Sequence, residues 1–300
     1  MSLRDCHLPV SRFDEINGRI SSAHTGNSRG IDMAVKTNCA CLSVVVPAYN
    51  EEETLALIIN KLLGIPHLLE IIIVDDYSTD KTSEIAHEFA AQFPHIRYVR
   101  HQKNAGKTEA LKTGFALTKG KIVIVQDADL EYDPLEIGMV IEPILNGHAD
   151  VVYGSRFLVR KASRVLYFYH YVANKGLTFL SNLLTNLNMT DVETGYKAFR
   201  GDIIRSMKIV SSGFGFEIEV TAKVAKLKCA VYETPISYYG RTYDQGKKIG
   251  LIDGVYALWF ILKFNLFCSL DSSFTDAARL AQTIASRTNQ PIHPLVTEGI

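Results

Sequence analysis

Leu42-Ser43-Val44-Val45-Val46-Pro47-Ala48-Tyr49-Asn50-Glu51-Glu52 is the stretch on which the fold turns. Its first half is a short apolar run rich in β-branched residues, the mark of a strand buried on both faces. Asn50 follows at an N-cap position, with Glu53 in the capping-box place. Leu55, Ile58, Ile59 and Leu62 then recur at helical spacing. The same strand–turn–helix phrase repeats along the chain. Further strands are predicted at 70–74, 96–100, 121–125 and 150–153, and further helices at 78–92, 105–117 and 134–145. Apolar strands alternating with amphipathic helices predict βαβ units and an α/β fold with a mostly parallel sheet. Such sheets bind ligands at the carboxyl ends of their strands, so the residues just after each strand should carry the chemistry.

The flanks differ from this middle. Residues 1–41 are polar and aperiodic, with Gly26, Asn27, Ser28 and Gly30 clustered, and read as a flexible N-terminal extension. Residues 42–270 hold the alternating pattern; 271–300 read as a C-terminal tail with one short helix at 275–286, then Pro291 and Pro294. The whole chain has 300 residues, 47 % of them hydrophobic, with 32 Lys+Arg against 32 Asp+Glu. That composition excludes a disordered chain, a collagen and a coiled coil. Zero net charge argues against nucleic acid as a partner, which needs a basic footprint. No uncharged run reaches the roughly 18 residues of a membrane span; the nearest, 256–267, is short and carries Lys263. Cys39-x-Cys41 lacks the second pair that a zinc site needs, and the N-terminus has no apolar signal segment, so reduced thiols in a cytoplasmic protein are expected.

Three strand ends are acidic: Glu51-Glu52 after the first, Asp75-Asp76 after the second, and Asp127-Ala128-Asp129-Leu130-Glu131 after the fourth. Capping of the next helix explains Asp80 and Asp133. It does not explain paired carboxylates, which repel unless something neutralises them. A divalent cation does so, and Asp127-x-Asp129 offers the hard oxygens that Mg2+ or Mn2+ accepts, usually shared with substrate phosphates. Neither a P-loop nor a G-x-G-x-x-G turn is present, nor a G-x-S-x-G elbow, which argues against an ATPase, a dinucleotide dehydrogenase and a serine hydrolase.

These segments, with Asn104-Ala105-Gly106-Lys107 and the continuation Tyr132-Asp133-Pro134, resemble family 2 glycosyltransferases of the GT-A fold. Gly154-Ser155-Arg156-Phe157 and Asp191-Val192-Glu193-Thr194-Gly195-Tyr196-Lys197-Ala198-Phe199-Arg200 are similar to the dolichol-phosphate mannose synthase and polyprenyl-phosphate sugar transferase branch, over about residues 42–267. The resemblance implies a Rossmann-like sheet flanked by helices in a single catalytic domain. It implies that Pro47, Tyr49 and Glu51 line a nucleotide pocket, with Glu51 on the ribose, Asp76 on the base and Asp75 supporting the loop. The family often has Gly where Tyr77 stands, which leaves the shape of this loop open. Lys107 opens a helix, where the dipole disfavours a cation, and is expected to meet donor phosphate or ribose. Asp127 and Asp129, with Glu131 as a further ligand, are expected to hold the metal on the donor diphosphate.

On the acceptor side the resemblance carries over Arg156 and Arg164, with Arg241 or Lys247 closing over donor and acceptor. A phosphate monoester is already a nucleophile near neutrality and needs no strong base. A sugar hydroxyl does need one, and Asp191 and Glu217 are its candidates. Asp191 can equally orient an arginine. Aromatic, nearly uncharged segments at 165–184 and around Trp259, Phe260, Phe264 and Phe267 read either as core helices or as interfacial helices at a membrane surface. The function expected is inverting, metal-dependent transfer of a hexose from a UDP- or GDP-sugar to a polyprenyl phosphate, by a cytoplasmic protein peripheral at the membrane. The alternatives are transfer to a saccharide hydroxyl in cell-surface polysaccharide synthesis, or a non-catalytic nucleotide-sugar-binding scaffold.

Overall fold

The structure, a computed structural model, describes residues 39–158, 167–213, 215–240 and 251–288. Its strands are β1 (Leu42–Ala48), β2 (Leu68–Asp75), β3 (Ile96–Arg100), β4 (Ile122–Val125), β5 (Val151–Ser155), β6 (Lys197–Arg200) and β7 (Val231–Pro235). Its helices are α1 (Leu55–Leu63), α2 (Thr82–Gln92), α3 (Lys107–Leu117), α4 (Ile137–Leu145), α5 (Phe168–Thr185), α6 (Gly201–Ser206), α7 (Phe216–Leu227), α8 (Leu251–Leu266), α9 (Leu270–Ser273) and α10 (Ala277–Thr288). The strands form one sheet in the order β3-β2-β1-β4-β6-β5-β7. All neighbours are parallel except β6, which runs antiparallel to both β4 and β5.

Every residue of β1 is buried, which is why the strand reads as a continuous apolar run. Alternate residues feed two cores. Val44 and Val46 pack with Leu55, Ile58 and Ile141, while Val45 packs with Leu111, Phe115 and Val220. Helices therefore cover both faces, as a parallel sheet requires.

The chain winds from β1 outward to β3 and then returns to place β4 on the other side of β1. That reversal is the switch point where such sheets open a crevice. The β1–β4 pairing ends at Val45 and Val125, whereas β1 stays paired with β2 as far as Ala48 and Asp75. Pro47 lies beyond the end of β4, where its missing N–H breaks no ladder bond.

The first helix starts later than its cap signal suggests. Its N-cap is Thr54, with no side-chain cap bond. Asn50 instead takes a left-handed φ of 54°, and its Oδ1 accepts the Thr79 amide at 2.8 Å. The Asn50 amide donates to Ser78 Oγ and the Glu51 amide to Thr82 Oγ1, so the loops after β1 and β2 are bonded into one unit. Tyr77 and Leu130, in the loops after β2 and β4, also have positive φ (68° and 60°). A bulky residue there is strained, and such strain gathers at functional sites. At Tyr77 a glycine would adopt this φ without cost.

The described residues after 270 pack against the sheet domain. Phe274, Ala277, Leu280 and Ile284 are buried in the same core as Val220 and Val224 of α7. Among the described residues no helix is long and apolar enough to cross a membrane.

Candidate active site

The acidic end of β2 faces inward. Asp75 is fully buried, accepting from the Ser78 amide at 2.8 Å and from Ser83 Oγ and Tyr98 Oη. Asp76 accepts from the Gly106 amide at 2.6 Å, from the Ala105 amide at 2.9 Å, and pairs with His101 Nδ1 at 2.7 Å. His101 is held in turn by Thr113. Asp75 thus shapes its own loop, and Asp76 fixes the turn from which α3 and Lys107 start. Tyr49 and Glu51 are half-buried beside this unit, and Glu51 Oε2 accepts from Thr54 Oγ1.

The end of β4 is built differently. Lys107, at the first position of α3, lies 2.9 Å from Asp127 and 3.7 Å from Glu217. Burial works against the ammonium, but Asp127 and then Glu217 outweigh it and hold its pKa above the ordinary lysine value. Gly195 closes over this pair. A Cβ there would come within 2.9 Å of Asp127 Oδ2 and 3.3 Å of Lys107 Nζ. The Gly195 amide donates to Tyr132 Oη at 3.0 Å, and Tyr132 stacks flat on Tyr196 with centroids 5.1 Å apart. Burial pushes the Tyr132 hydroxyl up to about 12, so it stays protonated.

The third cluster lies at the ends of β5 and β6. Arg156 donates to both oxygens of Asp191, Nε at 2.7 Å and Nη2 at 2.8 Å, and its amide adds a third bond at 3.1 Å. Asp191 is fully buried; burial opposes its charge, but Arg156 holds its pKa below the usual carboxylate range. Such bidentate buried pairs are strong and geometrically specific. With both oxygens taken, Asp191 orients Arg156 and is not presented as a base. Glu233 of β7 accepts the amides of Thr190 and Asp191 and so fixes that turn. The Arg156 guanidinium also lies over the rings of Tyr238 (5.2 Å) and Phe157 (5.7 Å).

Glu131, expected as a metal ligand, accepts from Tyr238 Oη at 2.9 Å, while Asp129 Oδ1 accepts the Glu131 amide. Among the described residues no three His, Cys, Asp or Glu side chains converge on one point that could hold a metal. The residues present still suit one. Asp127 and Asp129 are two hard oxygen donors at a strand end, and Asp127 already holds a counter-cation in Lys107; Mg2+ characteristically takes one or two carboxylates and completes its shell from substrate phosphates. Asp133 is a cap, accepting the Leu135 amide, whereas Asp80 lies one residue ahead of the α2 N-cap, Lys81, and accepts the Thr82 and Glu52 amides. Arg164, Arg241 and Lys247, with Arg160, Lys161 and Lys248, lie outside the described residues.

Sequence reasoning singled out neither Glu193 nor Lys197 as a site residue, although both stand in the segment it quoted. Lys197 is fully buried and donates to the carbonyls of Val192 (3.2 Å) and Thr194. Burial pushes its pKa down to about 8, against the pull of Glu217, Asp191 and Glu193. Burial and then Glu217 push Glu193 up to about 7, against Lys197 and Arg156.

A parallel sheet that opens at its switch point onto acidic loops, with a single reversed strand beside them, is the GT-A form of a nucleotide-binding α/β fold. Glucosyl-3-phosphoglycerate synthase from Mycobacterium tuberculosis, solved with UDP, shares it with a TM-score of 0.59 at 21 % identity, over 75 % of this chain and 80 % of that one. Residues 43–207 match the family described as Glycosyl transferase family 2, and the chain belongs to that family. It is 31 % identical over 215 residues to the dolichol-phosphate mannosyltransferase of Pyrococcus furiosus, covering 70 % of this chain and 59 % of that protein. It is 30 % identical over 220 residues to the undecaprenyl-phosphate mannosyltransferase of Micrococcus luteus, covering 70 % and 88 %. The protein is therefore a glycosyltransferase.

Proposed function

We propose that this glycosyltransferase moves a hexose from a nucleoside-diphosphate sugar to a polyprenyl phosphate, with inversion at the anomeric carbon. The observation that carries this reading is the Arg156–Asp191 pair. It supplies a fixed, permanently charged guanidinium for a phosphate and removes Asp191 from use as a base. A phosphate acceptor fits that, because at neutral pH it is largely dianionic and attacks unaided. The names of the relatives, which are polyprenyl-phosphate mannosyltransferases, support the same acceptor class.

In this reading the loops after β1 and β2 receive the nucleoside, with Pro47, Tyr49 and Glu51 around it and Asp76 fixing the turn that leads to Lys107. Lys107 turns towards the diphosphate. Asp127 and Asp129 would hold a divalent cation, Mg2+ or Mn2+, which when bound neutralises charge on the departing diphosphate. Arg156 positions the acceptor phosphate in line with the anomeric carbon. A phosphate oxygen forms the new bond to that carbon as the bond to the nucleoside diphosphate breaks, and the acceptor's negative charge leaves on the diphosphate. Arg164, Arg241 and Lys247 are proposed to complete the phosphate contacts.

An exposed apolar surface near Arg156 supports a lipid-linked acceptor. Phe157, next to Arg156, packs edge-on against Tyr171 of α5 at 5.2 Å. α5 exposes Phe168, Tyr169, Phe179 and Leu183, and α8, packed beside it, exposes Val255, Tyr256 and Trp259. Such a surface favours peripheral attachment to a membrane interface. The test is transfer from UDP- and GDP-hexoses, with Mn2+, to a short polyprenyl phosphate and, in parallel, to saccharide acceptors. Transfer to the lipid phosphate alone is expected. Transfer to a saccharide hydroxyl alone would replace this acceptor, with Glu217 then taking the base role.

A further inference from the structure

The loop between α5 and β6, Asp191-Val192-Glu193-Thr194-Gly195, is held at almost every point. Arg156 grips Asp191, Lys197 Nζ binds the carbonyls of Val192 and Thr194, and Tyr132 Oη takes the Gly195 amide. Thr194 Oγ1 accepts the Tyr196 amide. Glu193 is the exception. Its Oε1 is buried and accepts no hydrogen bond among the described residues. Leaving a buried carboxylate oxygen without a donor is costly, and each such group in a native fold needs a reason.

Its position supplies one. The charges acting on Glu193 are those of Glu217, Lys197, Arg156 and Asp191. Glu217 lies beside Lys107, which holds Asp127. Arg156 and Asp191 are the acceptor-side pair. In the chain Glu193 lies between Asp191, which grips Arg156, and Gly195, which closes on Asp127 and Lys107. Its loop thus links the pair that would face the acceptor to the pair that would face the donor diphosphate, and the sugar being transferred passes between the two. A hexose presents several hydroxyls there. A carboxylate accepts from a hydroxyl, and a protonated carboxyl can both donate and accept, so either form engages one. The loop's other anchors hold that oxygen in place before the sugar arrives, which favours discrimination between sugars over general adhesion.

We propose that Glu193 is a specificity-determining residue whose Oε1 binds a hydroxyl of the transferred sugar. This rests on the proposed nucleotide-sugar donor and on Arg156 facing the acceptor, whatever the acceptor's class. The test titrates the full chain and its Glu193→Gln and Glu193→Ala variants, in the presence of Mn2+, with UDP, GDP, UDP-glucose and GDP-mannose. For the sugar nucleotide that the wild type binds, Glu193→Ala is expected to lose at least about tenfold in affinity, the size of one hydrogen bond to a charged group. Affinity for the matching bare nucleotide is expected to stay within about twofold, which also reports intact folding. Glu193→Gln, nearly isosteric, is expected to fall between the two and to change the preference between the two sugars. Equal losses for bare nucleotide and sugar nucleotide, or no loss for either, would overturn the proposal by showing a structural role or none. A wild type that binds neither sugar nucleotide would overturn the donor reading and this inference together. A wild type that binds one, shows the Glu193 effect and does not transfer to polyprenyl phosphate would overturn only the acceptor assignment.

Discussion

Two strand ends in this sheet carry paired aspartates, and the structure uses them in opposite ways. After β2, Asp75 and Asp76 accept from Ser78, Ala105 and Gly106 amides, and from Ser83, Tyr98 and His101 side chains. Half of these donors are backbone amides. After β4, Asp127 is balanced by the side chain of Lys107, and Asp129 accepts one amide from its own loop. A carboxylate saturated by amides shapes the chain; a carboxylate held by a flexible ammonium can exchange that partner for a ligand. Residue type is the same in both places. Only the donors differ.

If that contrast is right, the two pairs fail differently. Asp127→Asn is expected to lower transfer by about 10²–10³-fold, the usual cost of removing one electrostatic contact to developing charge, with the thermal midpoint within about 2 °C of wild type, under 1 kcal/mol for a domain of this size. Steady-state transfer and thermal unfolding on the same preparation check this. A variant that keeps full activity would return Asp127 to a structural role.

Asp76→Ala is expected to act mainly on the fold. It strands the amides of Ala105 and Gly106 and removes the partner of His101. That costs about 2–3 kcal/mol, or about 4–10 °C in thermal midpoint for a domain of this size. Activity per folded molecule is expected to fall less than tenfold, about 1.4 kcal/mol. A loss of activity as large as that of Asp127→Asn, with no loss of stability, would erase the contrast.

How much of this was readable beforehand follows the same division. The buried strands were legible because an apolar run of β-branched residues has few other fates; the strand predicted at 121–125 contains the fully buried β4, Ile122–Val125. Helix starts were less so. Asn50 has the chemistry of a cap, but the tertiary structure uses its side chain on Thr79, so α1 begins at Leu55. β6 was not legible as a strand. It is four residues long, reversed, and begins with a buried lysine whose charge is satisfied by carbonyls five and three residues back. At the site, the acidic residues stood out from the sequence, but their partners did not. Lys107 and Asp127 are 20 residues apart, and Arg156 and Asp191 are 35 apart. Only the folded sheet brings them together, and it is the partner that decides whether a carboxylate is structural or available.

Gly195→Ala probes the same pair by shape alone. The added methyl would lie 2.9 Å from Asp127 Oδ2 and 3.3 Å from Lys107 Nζ, too close for either to stay in place. The Lys107–Asp127 contact is expected to open and transfer to fall by about 10–100-fold, the range typical of residues that orient a ligand-binding group. The readout is the concentration of Mn2+ giving half-maximal transfer, which should rise. An unchanged midpoint would show that the loop gives way instead of the pair.

A further expected effect is on stability against pH, and its sign differs from group to group. In the β2 region Asp80 is held below its ordinary 3.8: burial opposes its charge, and hydrogen bonds from Thr82 and Glu52 outweigh that. Its contribution is present above about pH 3.8 and lost on acidification. Glu193 is pushed from 4.5 up to about 7, by burial and then Glu217. Between those values the unfolded chain has released a proton that the folded chain still holds, so stability falls as pH rises through that window. Lys197 moves the other way, from 10.5 down to about 8 by burial; from about 8 to 10.5 the unfolded chain holds a proton that the folded one lacks, and stability from this group rises with pH. Thermal unfolding between pH 4.5 and 7 should therefore show a declining component that Glu193→Gln removes, because an amide has no proton to lose. Asp80→Asn should leave that component intact and lower the thermal midpoint slightly above pH 4. If Glu193→Gln leaves the decline between pH 4.5 and 7 unchanged, Glu193 titrates like an ordinary surface carboxylate, and the unpartnered oxygen in the closed loop is not held away from water as the structure places it.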